Sequence, residues 1–241
     1  LKHAHLCATR WLGPTDKLFQ VLSRRIIDRN WFPSVNRPGF QVNRPDSHWF
    51  LEQFIPFDYA TLSMEPSSED NQQFDFSAGR SGDWRRAPIT WQPYHPHHDD
   101  YQKIGNCRRI IARCLNIGTR AYLMDEKEVR RAFDEVKNDI PVILSFANHD
   151  FRDLRKDVAE AHSLLEKVSL EYDDIDFEYC EAVDAMRKVM NLKEKNKCEF
   201  SLNIIKNSDG ASTLNIKSSN ETFGPQPFFV FKTLTNQYFH D

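Results

Sequence analysis

Two hydrophobic patterns alternate along the first 190 residues of the chain. Apolar residues spaced three and four apart, which is typical of helices, occur at Asp16–Arg29, Asp125–Asn138 and Asp153–Tyr172. Continuous apolar runs of strand length occur between them, at Ile55–Ala60 and Val142–Phe146. Because helices and buried strands follow each other in this way, the pattern predicts a parallel α/β sheet or barrel.

Shorter segments extend this alternation. We predict a strand running into a turn at Trp31–Phe40, a short helix at Asn43–Phe54, a short strand at Asp176–Tyr179 and a short helix at Ala182–Met190. The segment Cys107–Leu115 fits either a strand or a helix, because the period of a short apolar run does not separate the two.

After Leu192 the pattern changes to an alternation of polar and apolar residues. Strands are predicted at Phe200–Ile205, Thr213–Lys217 and Pro227–Lys232, separated by turn sequences rich in Ser, Asp, Gly and Pro. The chain is therefore predicted to have two parts, a (β/α) domain at residues 1–192 and a small β appendage at residues 193–241.

The apolar run Val142–Phe146 is followed directly by polar residues that include His149 and Asp150. In parallel sheets, active sites lie just beyond the carboxyl ends of the strands. His149 and Asp150 are therefore candidate site residues. The alternative is that His149 caps the helix that follows or satisfies a loop carbonyl.

Two further candidates lie at predicted strand ends earlier in the chain. His3 and His5 are two residues apart, so in a strand they would point to one face and could together hold a divalent metal. The alternatives are a chance pairing or the remnant of a terminal tag. Arg37 stands in an Arg-Pro-Gly turn, where its guanidinium could hold a carboxylate with two hydrogen bonds, unless it is simply an exposed turn arginine.

The segment Thr90–Tyr101 concentrates aromatic, histidine and aspartate residues around Pro93 and Pro96. The two prolines predict that it has no regular secondary structure. A rigid loop with aromatic rings and polar groups is suited to sugar binding, because the rings stack on a pyranose and the polar groups bond its hydroxyls. The alternatives are a metal-binding histidine cluster and an ordinary surface loop.

Composition narrows the class of protein. Hydrophobic residues make up 40% of the 241 residues, charged residues 28%, and the formal net charge is -3, all ordinary for a soluble protein that binds neither nucleic acid nor a membrane surface. No apolar run reaches membrane-spanning length. The five cysteines form no Cys-x-x-Cys pair, which favours reduced thiols and a cytoplasmic location. The chain starts at Leu1 inside what looks like a motif, so we expect both ends to be cut and localisation signals to be missing.

Four motifs, taken in order, resemble the NodB-homology polysaccharide deacetylases, in particular a divergent branch from bacterial surface-polysaccharide clusters. They are His3-Ala-His5, Asn36-Arg-Pro-Gly-Phe40, Gly82-Asp-Trp84 and Leu144-Ser-Phe-Ala-Asn-His149. The resemblance covers roughly residues 1 to 190. It implies an irregular (β/α)7 deacetylase-type barrel that lacks its first strands here, zinc or another divalent metal as cofactor, and an N-acetylated sugar or polysaccharide as substrate.

The resemblance also implies roles for single residues. His3 and His5 fall where the family has its metal histidines, although the family's usual spacing is four rather than two. Arg37 matches the arginine that orients the catalytic base, and Asp83 with Trp84 resembles the Asp-Trp of a later motif. His149 matches the histidine that protonates the leaving amine.

Four other residues complete the predicted site. Trp91, Tyr94 and His95, together with Trp84, would line the sugar site. Asp150 or another nearby carboxylate would stabilise the charge and tautomer of His149. The family's first motif, which supplies the base and a metal ligand, has no counterpart in this sequence.

Two other functions remain open from the sequence. A metal-free, deacetylase-like domain that only binds carbohydrate would fit the unusual histidine spacing and the missing motif. A glycoside hydrolase on a related barrel would need two carboxylates that face one sugar, and the sequence pairs none of its aspartates in that way.

Overall fold

The structure is a computed structural model that describes residues 15–65, 82–119, 122–149, 151, 153–193 and 197–240. The predictions for His3, His5 and Asp150 fall outside the described residues.

Helices and strands alternate through most of the chain. In chain order they are α1 (Thr15–Arg29), β1 (Val35–Asn36), α2 (Pro45–Phe54), β2 (Phe57–Thr61), β3 (Pro96–His97), β4 (Asp100–Ile104), β5 (Ile110–Asn116), α3 (Glu126–Lys137), β6 (Ser145–Ala147), α4 (Arg155–Ser169), α5 (Ala182–Val189), β7 (Phe200–Lys206), β8 (Ser212–Ser218), β9 (Val230–Lys232) and β10 (Tyr238–His240).

Four of the strands form a curled parallel sheet, shaped like half a barrel, in the order β1-β2-β5-β6. The prediction of a mixed α/β fold around a parallel sheet is therefore confirmed. In the described ranges of the chain, no helix has both the length and the apolar content that crossing a membrane requires.

The central strand β5 is buried on both faces of the sheet. Successive side chains of a strand point to opposite faces, so they divide between two hydrophobic clusters. Ile111 and Leu115 pack with side chains of α3 and α4 in one hydrophobic cluster. Ile110 and Cys114 pack on the other face, where Met186 of α5 is fully buried. The sheet is therefore covered on both sides, as parallel sheets usually are.

The structure settles one open assignment and corrects two predictions. The segment Cys107–Leu115 was left open between helix and strand, and from Ile110 onward it lies in β5, which ends at Asn116. The segment Asp176–Tyr179 forms no strand; it is exposed and lines a cavity beside β6. The region around Pro93 and Pro96 does contain regular structure, because β3 begins at Pro96 and pairs antiparallel with β4. A proline is tolerated as the first residue of a strand.

The C-terminal part forms two hairpins, β7–β8 and β9–β10. The second hairpin packs against α1, where the Tyr238 hydroxyl donates to Asp28 Oδ2 at 2.9 Å and Lys232 Nζ lies 3.4 Å from Asp28 Oδ1. The ring of Phe228, just before β9, stacks on Phe19 of α1 with centroids 5.6 Å apart. The segment predicted as an appendage therefore contacts the first described helix.

Candidate functional site

Polar residues from three strands meet at the carboxyl edge of the parallel sheet. Arg37 directly follows β1, and Asn116 ends β5. The Arg37 Nη2 atom donates to Asn116 Oδ1 at 3.2 Å, although the residues are 79 positions apart. The next strand joins this edge because Ile117 N donates to Ala147 O at 3.0 Å. The edge of β6, which leads to His149, is thus continuous with the edge that holds Arg37.

The turn after β1, which contains Arg37, has an unusual backbone conformation. Phe40 and Gln41 have φ angles of 54° and 49°, in the left-handed region that side chains other than glycine rarely adopt. With its amide oxygen facing the guanidinium, the Gln41 side chain accepts from Arg37 Nη1 at 3.2 Å. The turn therefore places a neutral hydrogen-bond acceptor, the Gln41 amide oxygen, against the Arg37 guanidinium.

The Gly82–Trp84 segment fixes this turn from the other side. Gly82 N donates to Phe40 O at 2.9 Å, and Trp84 Nε1 donates to Gln41 O at 2.8 Å. A Cβ atom on Gly82 would lie only 2.0 Å from Gln41 O, so the close approach requires glycine. Two motifs that are distant in the sequence thus form one structural unit.

Asp83 lies within this unit, but its carboxylate faces Arg85. Arg85 Nε and Nη2 donate to Asp83 at 3.0 and 3.1 Å. Partial burial raises the pKa of Asp83, whereas these hydrogen bonds and the charge of Arg85 lower it more, so the net pKa lies below the usual value. Asp83 is therefore an ionised, paired carboxylate, and its catalytic role remains a prediction.

Arg37 has different partners from Arg109 and Arg113, the two buried arginines that lie before and within β5. Arg109 Nη1 lies 2.7 Å from Asp58, and Arg113 Nη1 lies 2.5 Å from Glu128. Within the described part of the chain, Arg37 pairs with no carboxylate, and its buried Nε has no hydrogen-bond partner. A partly buried charge without a counter-ion is costly, so the site favours binding of an anion.

A buried carboxylate supports the strand that carries Arg37. Asp58 accepts from Asn36 Nδ2 at 3.2 Å, from Asn43 Nδ2 at 3.0 Å and from Arg109 Nη1 at 2.7 Å. Burial raises the pKa of Asp58, and the charge of Arg109 opposes that rise. Asp58 is the second residue of β2, and these contacts give it a structural role.

The segment after β6 presents His149 to solvent. His149 N donates to Asn148 Oδ1 at 2.7 Å, and Asn148 Nδ2 donates to Asp157 Oδ2 at 2.6 Å. Asp157 lies in the first turn of α4. The backbone of His149 is thus tied to the start of a helix while its ring stays exposed, 5.1 Å from the ring of Phe151.

Three predicted sugar-stacking residues are core residues instead. Trp91 has no exposed surface, its Nε1 donates to Glu128 O at 2.9 Å, and the Arg113 guanidinium lies 4.5 Å from its ring centre. Tyr94 is 7% exposed and Trp84 3%. No face of these rings is open to a sugar, so this prediction is wrong for Trp84, Trp91 and Tyr94.

His95 differs from these three because its side chain is only half-buried. Its Nδ1 lies 2.7 Å from Cys107 O. A sugar contact at His95 remains a prediction.

The described residues do not by themselves fit a zinc ion. Among them, no group of three or more His, Cys, Asp or Glu side chains is arranged to hold a metal. The two predicted ligands, His3 and His5, lie outside the described residues.

Sequence reasoning missed Asn36, Asn43, Arg109 and Asn116, which position Arg37 or its strand. Asn116 carries the clearest missed signal, because a polar residue that ends a long apolar run lies at a strand end. Asn43 and Arg109 carry no such signal, since their shared partner Asp58 is 15 and 51 positions away.

A cavity of about 590 Å³ lies beside β6 and reaches Arg37. Its lining includes Ser145 and Ala147 of β6, Phe133 of α3 and Ala185 of α5. We call it the β6 cavity. It joins the carboxyl edge of the sheet to an apolar interior.

Comparison of the chain with protein-family models, with curated protein sequences and with solved structures gave no match in any of the three.

Proposed function

We propose that this chain is a hydrolase that removes acetyl groups from an N-acetylated sugar or polysaccharide, on an irregular (β/α)7 barrel of the deacetylase type. One observation carries the proposal. Arg37 lies at the carboxyl edge of a parallel sheet with neutral partners only among the described residues, on an edge that continues to the exposed His149. A fixed positive charge on the same sheet edge as an exposed imidazole suits the hydrolysis of an amide.

Arg37 would stabilise negative charge during the reaction. Attack of water on an amide carbonyl produces an oxyanion, and the products are an amine and acetate, which is also an anion. A guanidinium held in place by Asn116 and Gln41 needs little rearrangement to meet that charge. Arg37 would therefore act by electrostatic stabilisation.

His149 would deliver a proton to the departing nitrogen. An amine leaves an acyl carbon readily only when it is protonated, and a protonated imidazole is a common donor. The hydrogen bonds from His149 N to Asn148 and from Asn148 to Asp157 fix the backbone and leave the ring free to reach a substrate. Asp150 remains the proposed partner of the imidazole.

Zinc, held by His3 and His5, remains part of the proposal. Because the described residues do not supply its ligand set, we assign no step of the reaction to it.

The test is acetate release from N-acetylglucosamine oligomers by the purified chain, with and without added zinc. Substitution His149→Gln is expected to lower the rate about 100-fold or more, because a general acid contributes on the order of 10² to 10⁴. The matched control is His162→Gln. His162 is also an exposed histidine, but it lies on α4, and its substitution should leave the rate unchanged.

Three other outcomes would redirect the proposal. Equal rates for wild type and His149→Gln would remove His149 from the mechanism. Release of reducing ends without acetate would indicate a glycoside hydrolase. Sugar binding without release of either product would indicate a carbohydrate-binding domain.

A further inference from the structure

The β6 cavity is larger than an acetyl group requires. Its volume of about 590 Å³ lies in the range of sites that enclose most of a small-molecule ligand. An acetyl group has only two carbon atoms. The acetyl group of the proposed substrate would therefore fill only a small part of this space.

The walls of the cavity are mainly apolar. The strand β6, the helices α3, α4 and α5 and the segment before β6 all contribute apolar side chains, among which are Phe133, Val142, Leu144, Phe146, Leu165 and Val189. Burial of hydrocarbon against such walls is favourable in proportion to the apolar area removed from water. The shape and chemistry of the interior suit a hydrocarbon chain.

One cation at the cavity, Arg37, pairs with no carboxylate among the residues that the structure describes. Among the ionisable residues of the lining, Lys188 Nζ and Glu178 Oε1 pair with each other at 2.6 Å, and Asp176 is exposed. Arg37 contacts the neutral acceptors Asn116 and Gln41, and its buried Nε has no partner. The lining thus combines a hydrocarbon-like interior with a cation that lacks an anion.

We propose that the β6 cavity binds an acyl chain longer than acetyl, with the carboxyl group of that chain at Arg37. A carboxylate is the anion that a guanidinium binds best, through two parallel hydrogen bonds. The carboxylic acid of such a chain matches both features of the cavity. Its carboxylate would pair with Arg37, and its hydrocarbon chain would contact the apolar walls.

The consequence for the reaction rests on the proposed function. Hydrolysis of an N-acyl sugar breaks the carbon–nitrogen bond and adds water, so that a hydroxyl joins the acyl carbon and a hydrogen joins the nitrogen. The products are an amino sugar and a carboxylic acid, which loses its proton to solvent at neutral pH. The substrate class inferred here is an N-acyl sugar whose acyl group has several carbons.

Binding can be measured without turnover. We would titrate the full chain with acetate, butanoate, hexanoate and octanoate by calorimetry. Each added methylene should tighten the dissociation constant by about fourfold if it is buried in the cavity. Equal affinity for acetate and octanoate would overturn the inference.

Two kinds of variant distinguish binding of the carboxylate group from binding of the hydrocarbon part of the acid. Arg37→Met should weaken all four acids by a similar factor of at least about ten, because it removes the anion partner. Ala185→Phe and Cys180→Trp should weaken octanoate and leave acetate unchanged, because both narrow the cavity. Cys180 is exposed, so its substitution leaves the core intact if Ala185→Phe fails to fold.

The control is Ala159→Phe, an exposed position on α4 outside the cavity lining. It should bind octanoate as the wild type does. If the cavity-narrowing variants also bind octanoate normally, the chain binds elsewhere and the inference fails.

Acetate release from N-acetylglucosamine oligomers in the same samples distinguishes the two proposals. Chain-length-dependent binding without any hydrolysis would support the cavity assignment and count against the proposed function. Hydrolysis without chain-length dependence would support the proposed function and overturn the inference.

Discussion

Two strands of equal length, β5 and β7, occupy opposite environments. Each has seven residues and several isoleucine or leucine side chains. In β5 all residues except the last are buried, between two neighbouring strands and two hydrophobic clusters. In β7 every residue is exposed, and the strand pairs with β8 in a two-stranded sheet. Apolar content therefore does not decide burial, whereas the number of layers around a strand does.

The polar residues of the two strands show the same difference. Arg109, just before β5, and Arg113 within it are almost completely buried and each pairs with a carboxylate. Lys206 of β7 is exposed to water. The charged side chains next to β5 are therefore buried as ion pairs, and we expect removal of one partner to lower the free energy of unfolding.

The largest expected effect comes from Arg109→Met, which leaves the buried Asp58 without its cationic partner. We expect a loss of about 3–5 kcal/mol in the free energy of unfolding, because an unpaired buried charge is strongly unfavourable. Urea unfolding measures it. The control is Arg108→Met, whose side chain is 51% exposed and which should change stability by less than about 1 kcal/mol. Similar losses for both would show that the Asp58–Arg109 pair is not buried in solution.

A matched substitution in the two strands tests the comparison directly. Ile111→Ala in β5 should cost about 2–5 kcal/mol, because the side chain is fully buried. Ile204→Ala in β7 should change stability by less than about 0.5 kcal/mol, because that side chain is 68% exposed. If Ile204→Ala proves as costly as Ile111→Ala, the β7–β8 hairpin is covered in solution.

A smaller effect is expected at the turn that holds Arg37. Gly82→Ala places a methyl group 2.0 Å from the backbone oxygen of Gln41 and should cost about 1–3 kcal/mol. Gly39→Ala, in the same turn, meets no atom within 4 Å and should be near neutral. Urea unfolding of both variants decides whether the contact between the two motifs exists. Equal stabilities would refute it.

The last prediction is a pH dependence at His48 of α2, which lies against the segment that leads into β5. Burial, and then the charge of Arg109, lowers the pKa of His48 from 6.5 to about 4. A lowered histidine pKa means that the neutral form stabilises the fold above pH 6.5, and that this contribution is lost as the pH falls towards 4. The difference in unfolding free energy between wild type and His48→Gln should therefore shrink over that interval.

A difference for His48→Gln that stays constant between pH 6.5 and 4 would mean that His48 is hydrated in solution.

Local signals in the sequence predicted local structure well. The predicted helix Asp125–Asn138 begins at a residue that caps α3, because the Asp125 carboxylate accepts from Glu128 N at 2.9 Å. The helices α1, α3, α4 and α5 lie where their periodicity placed them. Hydrophobic period and capping act over a few residues, so they can be read directly from the sequence.

Contacts between distant residues could not be read in the same way. The bond between Arg37 and Asn116 spans 79 positions, and no local pattern marks it. The aromatic residues Trp91 and Tyr94 were assigned to an exposed loop because prolines surround them, yet both are buried with their polar atoms bonded to backbone carbonyls. Burial of such groups depends on which distant carbonyls are available, and that information is tertiary.

The contact between the C-terminal hairpin and α1 bears on how the chain can be shortened. Phe228 lies against Phe19, Phe32 and Phe54, with ring centroids 5.3 to 5.6 Å apart. A truncation after Leu192, where the sequence pattern changes, would expose three phenylalanine rings on α1, α2 and the segment between them. Such a shortened protein would aggregate more readily than the intact chain. The usable C-terminal limit therefore lies beyond β10, and the hairpin serves as a cover for the N-terminal helices.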